Sequence, residues 1–417
     1  MNKRIALNGL LILVSTLVSL LAAELVLRAL PVSKGRLDYL AYRKESLGPG
    51  GYLRENFAGH VEDGFGGTVL WINNSQGFRN GKEFAIPPPE NTFRILSMGD
   101  SFTAGYRLGQ DQTFSFLVER LLTDKHRSRN IEVMISAIED PLTGLYYLTS
   151  HGIDYSPHLV VLGITLGNDL AQIYSNMGQV YDLRADPPFV MRRNDLATRE
   201  AWVAKLEAQT LPSDCLTPRV SRDKRSNPAW SDIYPWMPQK EKWRLATLLS
   251  QVRGRFLHEA PQTVVSNWEE YVAPRLFDGN GLGIFLKRPP EEVRIAYEQL
   301  FQTLSAFSRF SKSRDLPLLV VIFPQRFQVQ DRDWHKTVEV YGLREECFDR
   351  GLPNREIVQF CRKNGIDCLD PTPPMRATHE GSRKSLYLPN NDMHWNARGH
   401  EALAEVLAPA VERFVTP

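Results

Sequence analysis

Ser101 stands at a position where a serine can act as a nucleophile. The segment 99–103 reads Gly-Asp-Ser-Phe-Thr, follows the apolar run 93–98 and precedes a helix-like segment at 113–122. A buried strand that breaks at a glycine and leads into a helix places the serine at the strand's carboxyl end, where open α/β sheets bind ligands. A serine at that edge can attack an acyl carbon when a histidine and a carboxylate come to meet it.

His394 is the best candidate for the base, and Asp392 for the carboxylate. Both lie in a loop just before the last predicted helix, and such a loop can reach the strand ends. Their distance from Ser101 in sequence is no objection, because the members of a catalytic triad meet in space. Asp392 can accept a hydrogen bond from the imidazole Nδ1 of His394, and that tautomer leaves Nε2 to accept the serine proton.

Asn168 supplies a neutral donor after another predicted strand. Its amide, together with the backbone N–H of Ser101, would provide the donors that an oxyanion hole needs. Taken alone, each signal has an ordinary interpretation, since a serine after Gly-Asp is usually a turn or helix cap and Asn-Asp is usually a turn. A lone histidine is usually a cap or a packed ring. The order of these residues, and their common position at strand ends, favours a catalytic site.

The elements that would position these residues alternate between strand and helix. Strands are predicted at 93–98, 131–135, 158–164, 318–323 and 366–369, with helices between them and a last helix from about Asn396. This rhythm indicates βαβ units and a mostly parallel sheet. The segment 170–288 loses the rhythm and is interpreted as an insertion over the strand ends. Its tryptophans form either a sugar-stacking platform or, as is commoner, a small core of the insertion itself.

The N-terminus is predicted to anchor the chain in a membrane. Residues Ile5–Ala23 are mostly apolar, and two basic residues precede them. A run of ~20 such residues crosses the hydrocarbon layer as a helix, and the basic flank places everything after it outside the cytoplasm. We predict a single-pass inner-membrane anchor over residues 1–30, a juxtamembrane extension over 31–91 and a periplasmic hydrolase-like domain over 92–417. A cleaved signal peptide and a buried core helix are the alternatives.

Composition limits the partners and cofactors. The chain has 417 residues and a formal net charge of +2, without a basic block interleaved with aromatics, so we expect no nucleic-acid partner. Four cysteines allow three pairings, and an exported chain permits disulfides. The short spacing of Cys361 and Cys368 favours that pair, with Cys215–Cys347 as the other. The sequence lacks a cluster with metal-ligand spacing, so we expect no metal and no cofactor.

Together these blocks resemble the SGNH (GDSL-type) hydrolase superfamily. The resemblance rests on Gly99–Thr103, Gly167–Asp169 and Asp392–His394, and it covers about residues 92–170 and 316–414. The order Asp-Met-His-Trp is similar to the Asp-x-His-Trp form of alginate O-acetyltransferase-like proteins. The segment ahead of the first strand, residues 74–79, also resembles membrane-anchored bacterial members.

The resemblance implies a fold and a role for each residue. The fold would be a three-layer α/β/α sandwich with a mainly parallel five-stranded sheet. Ser101 would be the nucleophile, His394 the base and Asp392 its orienting acid. Asn168 and the N–H of Ser101 would form the oxyanion hole.

The sequence departs from the family pattern at two points. The family usually carries an Asn-x-Gly segment after the second strand, and its glycine N–H completes the oxyanion hole. Here residues 136–141 read Ser-Ala-Ile-Glu-Asp-Pro, and the next glycine is Gly144. Either another backbone N–H serves or the hole is weaker. Many members also carry the acid three residues before the histidine, a position that Asn391 occupies here.

These features predict an enzyme that forms an acyl-serine. The acyl group, expected to be acetyl, would come from an acylated carbohydrate or a small ester. It would pass to water, as in an esterase, or to a sugar hydroxyl, as in an O-acetyltransferase. The extracytoplasmic position favours cell-envelope or exported polysaccharide, and a membrane partner could deliver acyl groups. The alternative is a non-catalytic polysaccharide-binding or envelope-assembly protein on a degenerate scaffold of this superfamily.

Overall fold

The described part of the chain leaves out most of the N-terminus and the middle. The computed structural model describes residues 15–16, 19, 22, 43–48, 51–63, 67–175, 180–191, 211–217, 281–389 and 392–415. Within these ranges no helix is both long enough and apolar enough to span a bilayer. The predicted anchor, residues 1–30, lies outside the described residues except for four helical positions, and so does most of the predicted insertion.

A mainly parallel sheet forms the centre of the fold. Its strands, in chain order, are β1 (Arg43–Gly48), β2 (Gly51–Leu53), β5 (Thr92–Gly99), β6 (Asn130–Ala137), β7 (Leu159–Thr165), β10 (Leu318–Phe323) and β11 (Asp367–Leu369). Two further pairs of strands form separate hairpins. In one, β3 (Ala58–Glu62) pairs with β4 (Thr68–Ile72), and in the other β8 (Val180–Asp182) pairs with β9 (Phe189–Met191). The seven strands lie in the order β1–β2–β6–β5–β7–β10–β11. Every neighbouring pair is parallel except β1–β2.

The parallel sheet is confirmed, but the prediction of five strands is wrong. The N-terminal extension adds β2 and β1 beyond β6, so six strands run parallel and a seventh runs antiparallel at the edge. The addition depends on a glycine, because a Cβ at Gly51 would lie 2.0 Å from the carbonyl oxygen of Ala137. Only a residue without a side chain permits this approach.

Helices cover both faces of the sheet. They are α1 (Ser101–Ala104), α2 (Phe114–Lys125), α3 (Pro141–Ser150), α4 (Asp169–Ser175), α5 (Glu291–Lys312), α6 (Arg326–Val329), α7 (Asp331–Tyr341), α8 (Leu352–Asn364), α9 (Thr372–Ser382) and α10 (Ala397–Val415). One face packs on α3, α4, α5 and α8, and the other on α2, α9 and α10. Successive strand side chains supply both cores, since Ile95 points to one and Leu96 to the other. The described residues thus form three α/β/α layers.

The strands and helices follow from their side-chain patterns. Every residue of β7 is buried, as expected for an apolar parallel strand covered on both faces. Helix α5 begins with Glu291 and Glu292, which favour the positive end of the helix dipole, and its buried side chains recur every three to four residues. The predicted bounds of β10, 318–323, agree with the structure.

One disulfide joins the insertion to the core. Cys215 bonds to Cys347, 132 residues away, as the second of the predicted pairs. The predicted Cys361–Cys368 bond is wrong, because both thiols are free. Cys361 lies on the buried face of α8 and Cys368 on β11. Packing of the helix on the strand brings the thiols to hydrogen-bonding distance without a covalent bond.

Candidate active site

Ser101 begins a short helix at the carboxyl end of β5. Asp100 caps α1, because its Oδ1 accepts a hydrogen bond from the N–H of Phe102 at 3.0 Å. A Cβ at Gly99 would lie 2.2 Å from the hydroxyl of Thr103, so the tight turn from strand to helix needs glycine there. The turn leaves the Ser101 side chain half-buried at the edge of the sheet.

The structure brings Ser101, His394 and Asp392 into one hydrogen-bonded chain. The Oγ of Ser101 lies 2.7 Å from Nε2 of His394. The Nδ1 of His394 lies 2.6 Å from Oδ1 of Asp392, which also accepts from the His394 backbone N–H at 3.0 Å. An ionised carboxylate only accepts, so the imidazole carries its proton on Nδ1 and leaves Nε2 to accept from the serine. The side chains of His394 and Asp392 are 17% and 20% exposed.

The loop that carries His394 is held at both ends. Residues Tyr387 and Trp395 form an antiparallel bridge, and the N–H of Leu388 donates to the carbonyl of His394 at 2.8 Å. The Trp395 ring is buried, with its centroid 4.8 Å from that of Phe102. The indole thereby packs the loop of His394 directly onto α1, the helix that begins with Ser101.

Arg326 supports the same loop from below, and sequence reasoning missed it. It follows the end of β10, is buried, and pairs with Asp333 at 2.8 Å. Its Nη1 donates to the carbonyl of Leu388 at 3.1 Å and to that of Asp392 at 3.4 Å. The only available signal was a charged residue three positions after the end of an apolar strand.

The carboxylate of Asp392 is kept ionised by its surroundings. Burial alone raises its pKa, but hydrogen bonds from His394, the charge of His394 and the nearby Arg107 together hold the pKa below the usual range of an aspartate. An ionised Asp392 can fix the imidazole tautomer and stabilise a positive charge that forms on it.

Asn168 lies at the neighbouring strand end, but its amide has a partner that the sequence did not reveal. Its Nδ2 donates to Oδ2 of Asp100 at 3.1 Å, and the hydroxyl of Thr165 donates to Oδ1 of Asp100 at 2.8 Å. Asp100 therefore ties the ends of β5 and β7 together and fixes which way the amide points. One N–H of Nδ2 is left for a substrate oxygen.

Among the described residues, some backbone N–H groups near Ser101 already donate to a protein acceptor, and the N–H of Ser101 itself does not. After β6, the N–H of Ile138 donates to the carbonyl of Gly99 at 2.8 Å, and that of Asp140 to the hydroxyl of Thr143 at 3.1 Å. Neither N–H is therefore free to bind a substrate oxygen. The N–H of Ser101 has no acceptor in the part of the chain that the structure describes, and so it is the available backbone donor.

The described residues form a cavity away from Ser101 but no cluster of metal ligands. No group of three or more histidine, cysteine or acidic side chains that could hold a metal ion occurs within the described ranges. A cavity of about 470 Å³ lies beside α7, lined by Trp334, Phe348 and charged side chains. Ser101, Asp392 and His394 are not among its lining residues.

Comparisons with known proteins give only distant structural similarity. No protein-family model and no curated protein matches the chain. Similar solved structures include a two-domain esterase active on acetylated mannans, at 9% identity over 78% of this chain and 50% of that chain, with a TM-score of 0.36. An acetyl xylan esterase is similar at 10% identity over 76% and 100% of the two chains (TM-score 0.34). A GDSL-like lipase from Bacteroides thetaiotaomicron is similar at 10% identity over 79% and 92% (TM-score 0.32). The match thus spans half the length of the two-domain esterase.

Proposed function

We propose that the chain is a serine esterase or acyltransferase of the SGNH (GDSL-type) superfamily. The observation that carries the proposal is the continuous chain from Ser101 Oγ to His394 Nε2, at 2.7 Å, and from His394 Nδ1 to Asp392 Oδ1, at 2.6 Å. Both distances lie within hydrogen-bond reach for proton transfer and for orientation of the base.

The proposed reaction passes through a covalent acyl-serine. Ser101 Oγ attacks the ester carbonyl while His394 takes its proton and Asp392 stabilises the resulting imidazolium. The Ser101 N–H and the free N–H of Asn168 hold the oxyanion. When the tetrahedral intermediate collapses, the ester C–O bond breaks and His394 returns the proton to the leaving alcohol. A second hydroxyl, from water or from a sugar, then attacks the acyl-serine with the same proton relay.

The proposed substrate is an acetylated carbohydrate of the cell envelope or an exported polysaccharide. This part of the proposal rests on the apolar segment Ile5–Ala23, which would hold the chain in the inner membrane with the site on the periplasmic side. The Cys215–Cys347 disulfide supports an oxidising compartment. In that position a membrane partner could supply acyl groups.

The hydrogen bond between Ser101 and His394 favours catalysis over a binding protein on a degenerate scaffold. A degenerate scaffold has no need to hold a serine at 2.7 Å from an imidazole that a carboxylate orients. The absent Asn-x-Gly glycine fits the non-catalytic reading, but Ser101 N–H and Asn168 remain as oxyanion donors.

The test is release of acetate by the full chain, purified in detergent. We expect wild type to hydrolyse an aryl acetate and acetylated polysaccharide and to be labelled by a fluorophosphonate. Ser101→Ala should lower kcat by at least about 10³-fold, because the nucleophile is removed. The exposed Ser382→Ala serves as the matched control and should behave as wild type. Equal acetate release by Ser101→Ala and wild type would reject the assignment. Adding acetyl acceptors to the same assay separates transfer from hydrolysis.

A further inference from the structure

The loop that follows the nucleophile helix has an unusual backbone. Gly105 ends α1 with φ of +69°, and Arg107, two residues later, has φ of +63°. Left-handed backbone is open to glycine but costs a residue such as arginine roughly 1 kcal/mol. Such conformations persist only where the surroundings hold them, and they cluster at functional sites.

Arg79, from the N-terminal extension, holds this loop in place. Its guanidinium is fully buried and donates to the carbonyls of Ala104, Gly105 and Leu108. It also stacks on the ring of Trp71, 3.6 Å from the centroid. A planar fork of donors that meets three carbonyls fixes the loop more completely than a point charge would.

The fixed loop places two side chains against the candidate acid–base pair. The Tyr106 ring lies 4.3 Å from the imidazole of His394, centroid to centroid. The guanidinium of Arg107 lies over the Tyr106 ring, at 4.9 Å, and its Nε is 3.6 Å from Oδ2 of Asp392. The two carboxylate oxygens of Asp392 thus have separate neighbours, with His394 at Oδ1 and Arg107 at Oδ2.

We propose that Arg107 is a positioning residue for the proposed catalytic pair: by holding Oδ2 of Asp392 it keeps Oδ1 aligned on Nδ1 of His394. The inference rests on the proposed function, since it assigns Arg107 to the same site. Arg107 is 26% exposed, so it can be replaced without opening a buried cavity. The left-handed backbone of Arg107 is fixed from both sides, because the carbonyls of Gly105 and Leu108 both accept from Arg79.

The test compares two variants at Arg107 with a matched control. Arg107→Met removes the charge and the donors but keeps much of the length, whereas Arg107→Lys keeps the charge. Arg413→Met is the control, because Arg413 also pairs with an aspartate, at 3.4 Å, and lies over a neighbouring aromatic ring. Its partner Asp367 is the first residue of β11, on the side of the sheet where the parallel strands begin, whereas Ser101 lies on the side where they end.

We expect Arg107→Met to lower kcat roughly tenfold with KM changed less than twofold. The acid limb of its kcat–pH profile should move to higher pH, because without the positive charge of Arg107 the hydrogen-bonded His394–Asp392 pair takes up a proton more readily. The rate of fluorophosphonate labelling should fall in parallel.

Arg107→Lys should recover most of the activity, and Arg413→Met should match wild type. A rise in KM with kcat unchanged would make Arg107 a substrate-binding residue, and no change at all would make it a bystander. Either result overturns the proposal.

A measurement without substrate separates this inference from the proposed function. The Nδ1 proton of His394, hydrogen-bonded to Asp392, is expected to give a low-field proton resonance. Arg107→Met should shift or broaden that resonance and Arg413→Met should not. If wild type shows no Ser101-dependent activity, the proposed function fails while this resonance still decides the role of Arg107. An unchanged resonance in Arg107→Met rejects the positioning role.

Discussion

His400 is a buried imidazole that the fold keeps neutral. Its Nδ1 accepts a hydrogen bond from the N–H of Phe114, at 3.1 Å, and its ring stacks on the ring of Phe114. Burial, with smaller effects from the charges of Arg79 and His394, lowers the pKa of His400 to about 3. In the unfolded chain the imidazole protonates below about pH 6.5. The unfolded state therefore binds the extra proton between about pH 6.5 and pH 3, and stability falls as the pH falls through this window.

Replacing His400 should flatten this pH dependence. In His400→Asn the amide oxygen can accept from Phe114 N–H, but it does not titrate. Between pH 7 and pH 5, wild type should lose about 2 kcal/mol more unfolding free energy than His400→Asn loses. The check is urea unfolding at the two pH values, with the exposed His335→Asn as control. An identical pH slope in wild type and His400→Asn would show that His400 does not titrate on unfolding.

Sequence reasoning found the residues that local motifs mark and missed those whose roles depend on packing. Ser101, Asp392 and His394 stand in short recognisable segments, and the structure places them together. The backbone carbonyls that accept from Arg79, and the carboxylate that pairs with Arg107, lie 25 residues or more away in sequence. Nothing in the sequence around either arginine indicates those partners. The tie between Asn168 and Asp100 was hidden for the same reason.

At the scale of elements, α1 depends on the glycine that ends it. A Cβ on Gly105 would lie 2.4 Å from Cγ2 of Thr113 and 2.6 Å from Nη1 of Arg79. The left-handed φ of +69° adds a backbone cost for any other residue. Gly105 therefore permits both the end of α1 and the approach of Arg79 to the loop.

Gly105→Ala should destabilise the protein by about 2 kcal/mol or more, since it combines backbone strain with two overlaps. Gly381→Ala is a matched control, because Gly381 lies inside α9 and a Cβ there meets no atom within 4 Å. That change should stabilise by about 0.5–1 kcal/mol through helix propensity. Denaturant unfolding checks both expectations: the midpoint should fall below that of wild type in Gly105→Ala and rise above it in Gly381→Ala. If Gly105→Ala and wild type unfold at the same denaturant concentration, the loop adjusts freely around a side chain at position 105.

The long helices and strands could be predicted because the spacing of their apolar residues is regular over many positions. Helix α5 and strand β10 combine length with clear periodicity or continuous apolarity. Strands β1 and β2 were not predicted as part of the sheet. β2 has three residues and pairs with β6 at a single position, which a glycine permits. Tertiary contact, rather than local propensity, decides such an edge.

At the scale of the whole molecule, the Cys215–Cys347 bond connects segments that lie 132 residues apart. Around it, Leu216 and Leu343 form an isolated bridge, and Arg344 N–H donates to the carbonyl of Cys215 at 2.9 Å. The bond therefore joins the predicted insertion, 170–288, to the segment after α7. Closing so long a loop restricts the unfolded chain strongly.

Removing that bond should lower stability while leaving the candidate site in place. The double variant Cys215→Ser, Cys347→Ser should lose about 3–5 kcal/mol of unfolding free energy. Cys368→Ser removes a thiol without a cross-link and should lose less. Thermal unfolding compares them, and thiol titration of denatured, unreduced wild type should find two free thiols. A titre of zero would show that Cys361 and Cys368 are bonded as well.

Because His394 lies near the C-terminal end of the chain, the ribosome makes it after Ser101 and after every strand of the seven-stranded sheet. The last strand of the seven-stranded sheet ends at Leu369, before Asp392 and His394. A nascent chain can therefore hold all seven strands of this sheet and Ser101 before His394 has been synthesised. At the usual elongation rates this interval lasts about a few seconds. The sheet can therefore form first, and Ser101 meets His394 only when the loop with Trp395 packs onto α1.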